Sequence, residues 1–295
     1  MHVIPVISTK GGEGKSTQAA NLAGFLADAG LITLLIDGDY SQPTASSIYA
    51  LEYEAPYGLF ELLMQTADLG QPDTVISRTV IKNLDLIISN DPDDRLSNAM
   101  LHAPDGRMRL RNILQHPSFQ KYDVIIIDSK GAAGVMVELV VLAATESVLG
   151  VIKPILPDVR EFMRGTVRLI SRLLALQAYG IKVPSIKILT NCIENTSLDK
   201  ATLDELTQII EQKKYPQPEH IAVSVLQTKI DQLEVYKRGH ALGQPVHRLE
   251  YKTDRKSPAA AVTIHSLACE LFPEWKERFD SVLRNRTGAE EVGNA

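Results

Sequence analysis

Only two cysteines, Cys192 and Cys269, occur among the 295 residues, too few and too far apart in sequence to read as a metal knuckle or a disulfide framework. They are expected to be buried thiols of a reducing, cytoplasmic environment. Positive charge is also short. The formal net charge is −5, so no global field exists to hold nucleic acid, and any such binding must come from a local patch or from a patch doubled by dimerisation. No run approaches the roughly 18 apolar residues of a membrane span. The chain enters an apolar run at Val3 without a charged leader, which predicts no secretory signal. Internal repeats and low-complexity stretches are missing as well. What is plentiful is hydrophobic sequence, 44% of the residues, ample for a buried core.

The densest signal lies at the start. Val3–Ile7 reads as a strand, and Ser8–Thr17 follows as S-T-K-G-G-E-G-K-S-T. A strand feeding a glycine-rich turn and then lysine and a hydroxyl residue is a phosphate-binding loop. Gly11, Gly12 and Gly14 let backbone N–H groups wrap an anion, because no Cβ blocks the approach or forbids positive φ. Lys15 supplies a point charge for β- and γ-phosphates, Ser16 offers a hydroxyl to Mg²⁺, and the following helix aims its positive end at the same place.

Further on, apolar spacing predicts helices over 16–29, 57–69, 107–115, 135–144, 158–178, 198–213 and 231–236, with a last helical region over 259–283 broken at Pro273. Strands are expected at 32–36, 84–88, 123–128, 148–152, 185–189 and 221–226. Pro5 is awkward inside the first strand, which needs its N–H groups if it is central. The alternation predicts an α/β fold with a mostly parallel twisted sheet, helices on both faces and a ligand at the carboxyl edge. No linker divides the chain, so one domain over 1–286 is expected, with a flexible tail over 287–295.

Three acids fall at strand ends. Asp37 and Asp39 follow the second strand in D-G-D, where two carboxylates can hold Mg²⁺ through water and orient an attacking water. Asp128 closes the apolar run D-V-I-I-I-D, where a Walker B acid belongs and would reach Mg²⁺ through a water ligand.

The loop has one departure from the general pattern: Thr9 stands where a first glycine is usual, and Lys10 adds a second lysine. The resulting K-G-G-x-G-K-S-T resembles the deviant loop of the ParA/MinD superfamily of P-loop ATPases. The resemblance implies ATP and Mg²⁺ as cofactors, with the nucleotide held by Lys10, Gly11, Gly12, Glu13, Gly14, Lys15, Ser16 and Thr17, and with Asn191 reading adenine. It implies metal contacts from Ser16, Asp37 and Asp128, and catalytic roles for Lys10, Lys15 and Asp39. Lys10 would reach the nucleotide of a second subunit, making ATP binding and homodimerisation one equilibrium. Where the family continues its Walker B strand with prolines, this chain has Ser129-Lys130-Gly131, which alters the loop that senses the γ-phosphate.

The C-terminal third, with Gly243-Gln244-Pro245-Val246 before a final helix, is similar to the ParA ending. That implies a partition ATPase associated with the nucleoid. It would bind non-specific DNA through basic residues such as Lys213, Lys214, Lys237, Arg238, Arg255 and Lys256, and a ParB-type centromere-binding partner would stimulate it. Arg248 and Lys252 belong to the same late cluster, and Arg160, Arg164, Arg168 and Arg172 form a second stripe. The alternative is a MinD-like positioning ATPase using Trp275, Phe279, Val282 and Leu283 as a membrane-facing stripe. Acidic Glu274, Glu277 and Asp280 argue against it. A reductase of the nitrogenase-iron-protein type would need cysteine ligands in the switch regions, and Cys192 and Cys269 are not there.

Overall fold

The computed structural model describes residues 1–39, 43–91, 93–131, 134–212 and 221–291. Among them nine strands form one sheet: β1 (His2–Ile7), β2 (Thr33–Gly38), β3 (Leu51–Tyr53), β4 (Ser77–Thr79), β5 (Leu84–Ile87), β6 (Val124–Ser129), β7 (Ser147–Ile152), β8 (Ser185–Ile193) and β9 (Val223–Asp231). Their spatial order is β3-β4-β5-β2-β6-β1-β7-β8-β9. The seven strands from β5 to β9 in that order run parallel, while β3 and β4 form an antiparallel edge. Val124–Ile127 and Leu34–Ile36 are buried on both sides because helices cover both faces of the sheet. This is the expected α/β P-loop architecture.

Pro5 is accommodated in a central strand by register. It pairs with Ile127 of β6, but the ladder to β7 begins only at Val6–Leu149. The Val3 N–H, on the same side as the donor Pro5 lacks, goes instead to the Thr145 hydroxyl at 3.1 Å. The missing donor thus falls where β7 has not yet begun to pair.

Several expected boundaries move. The helix expected over 57–69 is only Leu59–Met64, ended by Gln65 in the left-handed region at φ 57°. The helix expected over 107–115 is a 3₁₀ turn followed by Arg109–Ile113. Elements with weak periodicity were not legible: helices Thr44–Ile48 and Arg95–His102 and the edge strands β3 and β4. The long helix expected over 158–178 is composite: α from Leu156 to Glu161, a π turn at Phe162–Thr166, α again to Leu173, then 3₁₀ to Tyr179. The last strand runs to Asp231 and the helix after it is Glu234–Leu242. The final helix, Lys276–Glu291, extends into the stretch read as a frayed tail.

The C-terminal segment is fastened to the helix that follows the phosphate loop, α1 (Lys15–Asp28). Val246 N–H donates to Asn21 Oδ1 at 2.8 Å. The Pro245 ring fills the space beside Gly24, where an added Cβ would meet it at 2.6 Å. Arg248 and His247 both bond Asp28, Arg248 Nη2 at 2.6 Å and His247 Nε2 at 2.8 Å. The G-Q-P-V turn is therefore a brace for α1.

Candidate nucleotide-binding site

β1 delivers the loop to the carboxyl edge of the sheet, and α1 begins at Lys15 immediately behind it. Gly12 and Gly14 take φ of 79° and 87°, conformations that side chains with a Cβ rarely adopt. Gly14 has a second reason: a Cβ there would lie 2.2 Å from Asn191 Nδ2. Gly11 and Gly12 face open space, as a cradle for an anion requires. Glu13 does not. It is buried, and its carboxylate accepts the Lys153 backbone N–H at 2.7 Å, tying the loop to the end of β7.

Asp37 and Asp128 are cross-strand neighbours, because the parallel register pairs them directly at the ends of β2 and β6. Both are fully buried. Asp37 accepts from the backbone N–H and hydroxyl of Ser46, both at 2.7 Å, and from the Asp39 N–H at 3.1 Å. Burial still pushes its carboxyl up to about 6. Asp128 is pushed up to about 7, by burial first and by the Asp37 charge second, with Ser16 and Lys15 partly offsetting. Neither Asp128 oxygen has a hydrogen-bond partner within bonding geometry among the described residues. A buried carboxylate left in this state is what a hydrated divalent cation would satisfy. With Lys15, Ser16 and the open glycine cradle alongside, the donor set fits a magnesium nucleotide. Gly38 permits the close approach, since a Cβ would lie 2.5 Å from the Asp128 carbonyl oxygen. Asp39 is at the loop entrance, and Tyr40, Ser41 and Gln42 beyond it lie outside the described residues.

Lys10 is placed differently from the resemblance. Its ammonium contacts Asp158 at 2.8 Å and Glu161 at 3.1 Å in the same chain. These hydrogen bonds, Asp158 foremost, raise its pKa. Thr9 packs against the π turn, where a Cβ on Gly165 would meet its methyl at 3.1 Å. Asn191 also departs from expectation. It lies inside β8 and is buried, with Nδ2 donating to the Glu13 carbonyl at 2.6 Å and Oδ1 accepting from Gln18 Nε2 at 3.1 Å. Both ends of its amide are spent bracing the loop. Just beyond it is a cavity of about 590 Å³ lined by Lys153, Pro154, Leu156, Cys192, Glu194 and Gln232.

The unusual stretch after Asp128 has a steric explanation. A Cβ on Gly131 would lie 2.5 Å from the Lys10 carbonyl oxygen and 2.9 Å from the Gly11 nitrogen, so the loop after β6 touches the phosphate loop through a glycine. Lys130 pairs with Asp94 at 3.7 Å. Sequence reading missed Asp158 and Glu161 as parts of the site, and for Gly131, singled out with Ser129 and Lys130, it missed the contact with the phosphate loop.

The late basic cluster is less available than its composition suggested. Arg248 is committed to Asp28, Arg255 makes a two-pronged pair with Glu250, and Lys237 pairs with Glu234 at 3.4 Å. Arg238 donates to the Leu249 carbonyl, Lys256 is exposed, and Lys213 and Lys214 lie outside the described residues. In the arginine stripe, Arg160 pairs with Glu205 at 3.1 Å. The apolar stripe of the last helix is folded inward: Phe279 and Val282 are buried, and Phe279 packs on Phe25 of α1. No helix among the described residues is long and apolar enough to cross a membrane.

Loop, strand-end acids and sheet order together define a P-loop nucleotide-binding protein. Residues 1–179 match the family described as an AAA domain, and the chain belongs to that family, within the ParA/MinD superfamily. It is 32% identical over 148 residues to the chromosome partitioning protein ParA of Myxococcus xanthus, covering 50% of this chain and 50% of that protein. The chain thus spans about half the length of the curated relatives it matches. In fold it is similar to McdA of Cyanothece in complex with ATP, with TM-score 0.69, 19% identity and coverage of 96% and 95% of the two chains. It is also similar to septum site-determining protein MinD of Pyrococcus horikoshii with Mg-ADP, with TM-score 0.65, 22% identity and coverage of 92% and 95%.

Proposed function

We propose that this protein is an ATP-hydrolysing partition ATPase, cytoplasmic and nucleoid-associated, that dimerises on binding ATP and then binds DNA without sequence preference. A centromere-binding partner of the ParB type would stimulate hydrolysis. The observation that carries the nucleotide reading is the pair Asp37 and Asp128, buried side by side at the mouth of the loop, with neither Asp128 oxygen in hydrogen-bonding geometry with a partner among the described residues.

Lys15 and the loop N–H groups bind the phosphates, and Ser16, Asp37 and Asp128 hold the hydrated magnesium. When bound, the metal neutralises charge on the β- and γ-phosphates. Asp39 orients the attacking water. The base occupies the cavity beyond Asn191, and Asn191 acts by fixing Glu13 and Gly14. Lys10 leaves Asp158 and Glu161 to reach the nucleotide of a second subunit. Lys237, Arg238 and Lys256 supply the DNA-facing charge, giving affinity that falls steeply with salt, with a log–log slope of roughly 0.9 per phosphate neutralised.

The membrane-positioning alternative loses support from the burial of Phe279 and Val282, which removes its apolar stripe. An electrophoretic shift on arbitrary duplex DNA with ATP against ADP tests the choice. A salt-sensitive shift with ATP alone is expected. Liposome pelleting with no DNA shift would overturn the partition reading. Sedimentation of Lys10→Ala with ATP tests the dimer, and an unchanged profile would refute the role of Lys10.

A further inference from the structure

We propose that His265, Cys269 and Asp280 form a binding site for a zinc-class divalent cation that ties the final helix to the helix before it. His265 and Cys269 are four residues apart on Ala260–Leu271 and so share one face, while Asp280 comes from Lys276–Glu291 across the break at Pro273. One donor atom from each lies within 4.8 Å of the other two, and all three residues are half-buried. Cys269 Sγ is 3.6 Å from His265 Nε2, which is 2.7 Å from Asp280 Oδ1. Zinc–sulfur and zinc–nitrogen bonds of about 2.3 and 2.0 Å at a tetrahedral angle separate the two donors by about 3.6 Å. Sγ is also 3.9 Å from Nδ1, so the sulfur lies beside the ring rather than along the Nε2 lone pair, and binding needs a turn of the His265 ring or of the Cys269 side chain. The carboxylate needs to withdraw by well under 1 Å from its present hydrogen bond.

Thiolate, imidazole and carboxylate are the donor types zinc takes, and hard cations such as magnesium do not favour sulfur. Three protein ligands leave a fourth position for water. Asp280 Oδ2 is held by Lys276 Nζ at 2.8 Å, which orients the other oxygen toward His265. On binding, the Cys269 thiol releases its proton to solvent and the His265 proton resides on Nδ1. The site lies behind α1, since the His265 ring packs edge-on against Phe25 at 6.3 Å between centroids. An ion here would stiffen the support of the phosphate-loop helix from its rear.

The test uses untagged, metal-stripped full-length protein titrated with zinc against a chromophoric chelator, and with cobalt as a spectroscopic substitute. Uptake of one equivalent is expected, with an upward shift in thermal midpoint. Cobalt should show a thiolate charge-transfer band and the intense visible bands of tetrahedral coordination. Cys269→Ser and His265→Ala should abolish both, and Cys192→Ser should change neither. Absence of stoichiometric uptake, a cobalt spectrum without thiolate, or loss with Cys192→Ser would overturn the site. The cobalt spectrum of the unmodified protein decides the matter even if a variant fails to fold.

Discussion

The two ends of α1 treat their neighbouring carboxylates in opposite ways. At its N-terminal end Asp37 and Asp128 lie side by side with no cation bonded to either among the described residues, and burial lifts them to about 6 and about 7. At its C-terminal end Asp28 would also be raised by burial, but Arg248 and His247 outweigh that and hold it well below the usual carboxylate range. One end is an electrostatic arrangement that a bound cation would complete. The other is complete within the chain and serves only to anchor the C-terminal segment. The difference teaches that burial of an acid marks a binding site only when its partner is missing.

The largest way to break the contrast is to remove the cation the ligand end relies on. Lys15→Ala should weaken nucleotide binding by at least about 100-fold, measured by titration with a fluorescent ATP analogue, because a buried charge contact is worth roughly 3–5 kcal/mol. The second effect sets the two ends against each other. Asp128→Asn should raise the stability of the free protein by about 2 kcal/mol in urea, since it deletes the cost of an ionised buried carboxylate, while abolishing magnesium-dependent hydrolysis. Asp28→Asn should do the opposite, lowering stability by about 2 kcal/mol through loss of charge-assisted hydrogen bonds.

The pH dependence separates them further. Asp28 has a depressed pKa in the fold, so its contribution is present above the unfolded value near 4 and is lost as pH falls below it. Acid titration monitored by circular dichroism should show a shallower loss of stability below about pH 4 in Asp28→Asn than in the parent. Gly131→Ala tests the contact between the loops. Its methyl meets the Lys10–Gly11 backbone, so nucleotide affinity should drop by about tenfold, corresponding to ~1.4 kcal/mol, with the thermal midpoint little changed. The smallest effect belongs to Lys237→Ala, which leaves stability within about 0.5 kcal/mol because its pair with Glu234 is fully solvated.

Elements with strong, local patterns were legible in advance. The runs Val3–Ile7 and Val124–Asp128, the glycines of the loop and the helix behind it appear where spacing placed them. Short pieces such as Thr44–Ile48, β3 and β4 were not, because a five-residue helix or three-residue strand is held by its neighbours rather than by its own periodicity. The π turn at Phe162–Thr166 was illegible for a similar reason: Phe162 packing on Gly150 and Gly165 on Thr9 set it. The thiols expected to be buried are only half-buried, and Cys269 found its neighbours through Pro273 turning one helix back on another.

By itself the sequence determined the kind of site: a phosphate loop with two lysines, acids at two strand ends and a parallel α/β frame to hold them. Those follow from backbone conformation and hydrophobic spacing, which act over a few residues. Tertiary structure alone decided which charges are spent. It set Lys10 on Asp158 and Glu161, gave Arg248 to Asp28 and Arg255 to Glu250, turned Asn191 beneath the loop, and folded Phe279 inward. Partners 220 residues apart, as Asp28 and Arg248 are, meet only once the sheet order and crossovers exist, so no local pattern announces them.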